Sequence, residues 1–180
     1  DGPYRFDGTI SGTFCLTPGV TDDEHVFVVG ASDTLANCTI QKGYNAKSQD
    51  GDCLRFADGV GAFEIAAIAC RFASVPMTLE TVSGKPVTVS VGELTYTDHF
   101  QVAGTGDLIF CGNASGFSAD AFVGFSGRVV SRTGSLAVPG TLKTDGLAAL
   151  VAEKTGTLDF EGIQGQDVAV KCLVRGGEGT

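Results

Sequence analysis

The chain has 180 residues, 43% of them hydrophobic and 18% charged, with 26 glycines, 12 phenylalanines, 3 tyrosines and no tryptophan. That composition is too apolar for disorder, and a chain of this length buries roughly 70% of its unfolded surface. The net charge is −9 and the Lys and Arg residues are scattered singly, which argues against a basic stripe for nucleic acid or anionic lipid. The longest apolar runs, Ile65 to Cys70 and Leu147 to Ala152, fall far short of the ~20 residues of a membrane helix.

Tyr4, Phe6, Ile10, Phe14 and Leu16 alternate with polar residues, with Gly8 and Gly12 in phase. A period of two belongs to a strand with one buried face, so a single long β-strand is expected over Tyr4 to Leu16. Asp1, with no basic or apolar leader before it, reads as the start of a processed chain. Thr17-Pro18-Gly19 marks a turn, and Thr21 to Glu24 a polar loop. Val26–Val29, Cys38–Gln41 and Cys53–Phe56 read as short strands separated by the polar stretch Gly43 to Asp52.

Ala62 to Ala73 fits a helical stripe or a strand buried on both faces, and the neighbouring strands favour strand. Met77–Val82, Val87–Val91, Glu93–Val102 and Asp107–Cys111 continue the pattern. Phe117, Ala119, Ala121, Val123 and Phe125 alternate and predict one strand over Phe117 to Val130. Asp145 to Lys154 is the best helix, with Asp145 as cap, Leu147, Leu150 and Val151 on one face, and Gly156 closing it. Thr157–Phe160 and Asp167–Val174 would finish the sheet. Gly8-Thr9-Ile10 and Gly156-Thr157-Leu158 echo one another, too generically to define a repeat. The expected fold is therefore all-β: one antiparallel sandwich or jelly roll of about ten to twelve short strands, with one or two short helices at most and a closed barrel as second choice.

Cysteines stand at positions 15, 38, 53, 70, 111 and 172, an even number without any CxxC. This predicts three disulfides in an oxidising compartment rather than a metal or redox motif. The preferred pairing is sequential: Cys15–Cys38, Cys53–Cys70 and Cys111–Cys172. Two sequons, at Asn37 and Asn113, are consistent with a secreted glycoprotein of the extracellular space or cell surface, with the periplasm as an alternative.

A serine hydrolase needs a nucleophile backed by histidine, but Gly124-Phe125-Ser126-Gly127-Arg128 departs from G-x-S-x-G, and nothing near His25 or His99 marks a nucleophile. Glycosidases run on two carboxylates, and Glu64, Glu80, Glu93, Glu153, Asp159 and Glu161 are the candidates. Glu64 interrupts an apolar segment and could be a buried acid, yet sugar sites lean on aromatic faces, and this chain has no Trp and only three Tyr. Asp22, Asp23 and Glu24, or Asp50 and Asp52, are weak calcium candidates in loops that do not match an EF-hand. No cofactor is implied.

The leading expectation is a secreted, non-catalytic structural or adhesive subunit. It would self-assemble into a surface layer or filament by adding its N-terminal strand to a neighbour's sheet. The alternative is a binding module for an apolar or carbohydrate ligand held between its sheets, and a carboxylate glycosidase comes third. The expected partner is a protein or a second copy, with no nucleic acid and no transmembrane segment.

Overall fold

A computed structural model describes residues 4–6, 12–16, 26–29, 35–42, 53–69, 75–95, 100–160 and 173–176. Fourteen strands are present among them. In chain order they are β1 Tyr4–Phe6, β2 Gly12–Leu16, β3 Val26–Val29, β4 Leu35–Lys42, β5 Cys53–Phe56, β6 Ala62–Ala69 and β7 Val75–Thr81. There follow β8 Thr88–Thr95, β9 Phe100–Gly104, β10 Asp107–Phe110, β11 Gly124–Phe125, β12 Arg128–Ala137, β13 Ala149–Asp159 and β14 Leu173–Gly176.

The pairing is not that of a sandwich. Every named strand pair is parallel. From β1 to β12, successive strands fall alternately in two sheets, one in the order β1-β3-β5-β7-β9-β11, the other β14-β13-β12-β10-β8-β6-β4-β2. The chain therefore winds as a parallel β-solenoid, each strand stacking on the one a full turn earlier. Ala62, Thr88, Asp107, Arg128 and Ala149 mark one column of the longer sheet across four turns. The antiparallel sandwich is thus corrected. Alternation reports that a strand has one buried face, and it is silent on whether the strand pairs with its chain neighbour or with the next turn.

The interior lies between the two sheets. Phe63, Val89, Leu108, Val129 and Leu150 occupy successive turns at one register position of the longer sheet, and all are buried. Phe56, Met77, Leu79, Phe100 and Val102 face them from the shorter sheet in the same cluster. Phe100 has no exposed surface and is ringed by Phe110, Phe117 and Phe122, with centroids 6.3, 6.0 and 6.4 Å away, all edge-on. Edge-to-face rings contribute beyond the area they bury.

Three further expectations are corrected. Tyr4 to Leu16 is not one strand, because β1 and β2 belong to different sheets. Phe117 to Val130 is not one strand either. Residues 119–123 form turns, Phe117, Ala121 and Phe122 are buried, and Val123 is exposed, so the alternation is lost before β11. The helix over Asp145 to Lys154 is absent, and its apolar residues Leu150 and Val151 lie in β13. What looked like a helical face is a strand buried on both sides at its start, where Ala149, Leu150 and Val151 are all covered.

β13 also carries a bulge. Between the pairs Ser131↔Ala152 and Thr133↔Thr155, one residue of β12, Arg132, faces two of β13, Glu153 and Lys154. Lys154 takes φ 50°, the left-handed conformation that lets the extra residue swing out. Directly after it, Gly156 lies so close to the Ser131 carbonyl that a Cβ there would overlap it. Gly156 is thus a close-approach glycine rather than a helix cap.

Candidate functional site

The predicted site residues do not converge. His25, His99, Asp22, Asp23, Glu24, Asp50, Asp52, Ile10, Cys70, Cys172 and Glu161 lie outside the described residues. Glu64 is exposed, not a buried acid, and Glu93 and Asp159 are exposed as well. Glu80 accepts a hydrogen bond from Thr105 Oγ1 at 3.1 Å across a surface corner. Among the described residues no three His, Cys, Asp or Glu gather as metal ligands, and no helix is long and apolar enough to cross a membrane.

The disulfide expectation is also corrected, since no bridge occurs among the described residues and Cys111 is free and exposed. The register explains why Cys15 and Cys38 do not pair. Gly12 stands beside Cys38 and Cys15 beside Gln41, so Cys15 and Cys38 are three residues out of step on adjoining strands. That offset separates their Cα atoms by roughly 11 Å, beyond the ~7 Å a disulfide can span. The pairing Cys111–Cys172 is overturned by Cys111 itself, which directly follows β10 and is free. Cys111 of the folded, unreduced protein should therefore react with a maleimide. Mass spectrometry of the labelled peptide checks this, and an unlabelled Cys111 peptide would contradict the free thiol.

Of the two sequons, Asn37 lies within β4. Asn113 is exposed, and its Oδ1 accepts a hydrogen bond from Ser135 N at 2.9 Å, tying the corner after β10 to β12 one turn later. Tyr4 and Phe6 lie in β1 and Phe14 and Leu16 in β2. These strands end the shorter and the longer sheet, so among the described residues each is paired on one side only.

One surface feature was not foreseen. The outer face of the longer sheet carries Ile109, Val130, Ala149 and Val151 as a second buried cluster, separate from the core. Charged residues flank it in register. Asp107 and Arg128 face each other on β10 and β12, and Arg128 Nε donates to Asp107 Oδ1 at 2.8 Å while its Nη2 grips the second oxygen. The Asp107 carboxylate, with a smaller contribution from Glu153, holds the Arg128 pKa above its ordinary value against a modest desolvation cost. The Arg128 side chain is 48% exposed, so the pair is worth at most about 1 kcal/mol and chiefly fixes where the guanidinium lies. Arg132 reaches Glu153 across β12 and β13 at 3.5 Å. The shielded Arg132 Nε has no acceptor among the described residues.

At the β14 end of this face, Arg128, Ala149, Val151, Glu153, Leu173 and Arg175 line a groove of about 410 Å³. Arg128, Ala149 and Leu173 share one column, and Val130, Val151 and Arg175 the next. The sequence offered one signal for it, the acid–base match of Asp107 and Arg128, whose spacing gains meaning only once the turn length is known.

Comparison with known proteins finds no matching protein-family model, no matching curated protein and no matching solved structure.

Proposed function

We propose that this chain is a non-catalytic structural or adhesive subunit of an extracellular surface, which extends by adding its N-terminal strands to the sheet of a neighbour. The observation behind this reading is that β1 and β2 each end a parallel sheet with one edge unpaired among the described residues. Such an edge presents a row of backbone N–H and C=O groups that a further strand can pair with in the same register. The space between the sheets is filled by the Phe100 ring cluster, which weighs against a ligand held there.

The test uses the fact that adjacent amides of a strand point to opposite neighbours. Of Thr13→Pro and Phe14→Pro, one removes an amide directed at β4 and the other an amide directed outward. The outward variant should keep the wild-type melting temperature and lose the assemblies seen by light scattering and negative-stain microscopy. The reading fails if the wild type stays monomeric at all accessible concentrations, or if both variants assemble as it does.

A further inference from the structure

We propose that the groove beside β14 on the outer face binds a small organic monoanion with a flat apolar body, of the aromatic carboxylate or sulfonate class. This site is independent of the strand edges at the other end of the sheets.

Three properties of the groove select that chemistry. Its floor is apolar, made of Ala149 and Val151, and Leu173, half exposed, forms one wall. A volume of about 410 Å³ suits a ligand of one or two fused rings and lies in the ordinary range for small-molecule sites. The charges around the floor do not cancel. Arg128 is engaged by Asp107 and Arg132 by Glu153. Arg175, exposed on β14, has no acid partner among the described residues and lines the same groove. Two carboxylates therefore stand against three guanidinium groups on this patch, a local surplus of one positive charge on a chain whose net charge is −9.

The placement lets that surplus act on one ligand. Arg128 and Arg175 stand diagonally, two strands and two residues apart, with Ala149 and Val151 between them. Their Cα atoms are roughly 12 Å apart, so both side chains border the same apolar floor. A guanidinium binds a carboxylate or sulfonate by paired N–H donors, and its planar face stacks on an aromatic ring. Asp107, on β10, takes Arg128 Nε and Nη2 and holds that guanidinium at the rim away from β14, which leaves Arg175 as the principal donor to the oxyanion. Glu153, on the opposite rim, would repel a second negative charge, which limits the ligand to a monoanion.

The probe is 1-anilinonaphthalene-8-sulfonate, titrated into the folded full chain and read by fluorescence and by calorimetry. We expect one saturable site per chain, weakened by salt and displaced by 2-naphthoate but not by naphthalene. Arg175→Ala should weaken binding at least tenfold, Arg175→Lys should restore part of it, and Leu173→Glu should abolish it. Both positions are exposed, so circular dichroism should confirm an unchanged fold. Absence of saturable binding overturns the proposal. So does binding that Arg175→Ala and Leu173→Glu leave intact, because the site would then lie elsewhere.

Discussion

Phe100→Ala is expected to lower the free energy of unfolding by about 3–5 kcal/mol, the range for removing a fully buried aromatic ring. Phe100 sits on β9, and the three rings around it come from different parts of a turn: Phe110 from β10, and Phe117 and Phe122 from the segment that leads to β11. Phe117 and Phe122 lie outside the strands and have few ladder bonds to hold them, so their position depends on the ring they pack against. Their rings also meet each other at 5.4 Å, which limits how far the site can collapse around the void. A loss of this size consumes a large share of the 5–15 kcal/mol typical of a domain. Urea denaturation followed by far-UV circular dichroism measures it, with Phe100→Leu expected to retain more stability than Phe100→Ala. A change below about 1 kcal/mol for the alanine variant would show that the cluster is not the core.

Gly127→Ala should be nearly as damaging, by about 3 kcal/mol, for the opposite reason: it adds an atom where none fits. Gly127 turns the chain into β12, directly above Gly106, whose carbonyl accepts from Arg128 N at 3.2 Å. A Cβ at Gly127 would overlap that carbonyl and lie 2.6 Å from Phe125 Cζ. Relief requires the backbone of one turn to shift against the next, at the point where the longer sheet's register is set. Gly140 is the control, since a Cβ there meets nothing within 4 Å. Gly140→Ala should change stability by no more than about 0.5 kcal/mol. Equal melting temperatures for the two variants would contradict the corner geometry.

Most strands were legible because their local signals are strong. Val26–Val29 and Cys53–Phe56 coincide with β3 and β5, and the choice of strand for the ambiguous Ala62 segment agrees with β6. The helix over Asp145 to Lys154 failed because tertiary burial overrode propensity: a strand covered on both faces shows no alternation to distinguish it from a helix. The architecture was hidden for a different reason. In a solenoid the repeat is carried by register, and the residues that stack need only be alike in size and polarity. The echo at Gly156-Thr157-Leu158 looked generic, yet it stacks on Gly134-Ser135-Leu136 residue for residue. A search for self-similarity near 21 residues, the step from Asp107 to Arg128 to Ala149, could have exposed the turn. The groove beside β14 was invisible to sequence because its walls come from β12, β13 and β14, and only the stacking brings them together. The Cys15–Cys38 bridge was misjudged on the same ground, since an even count says nothing about which residues share a register.

The stacked columns also mean that the molecule has no intrinsic length. A globular core closes on itself and fixes how much chain it can hold, whereas each turn here rests only on the turns before and after it. Duplicating a stretch such as Arg128 to Ala148 would lengthen the stack by one strand spacing, about 4.8 Å, and present the same columns to the next turn. Inserting a single residue within a strand would instead exchange every inward and outward side chain beyond it. Growth and shortening are therefore quantised in whole turns. The Glu153–Lys154 bulge shows how one surplus residue is absorbed without losing count: it is ejected sideways, and the Gly-Thr-Leu step beyond it falls back into phase.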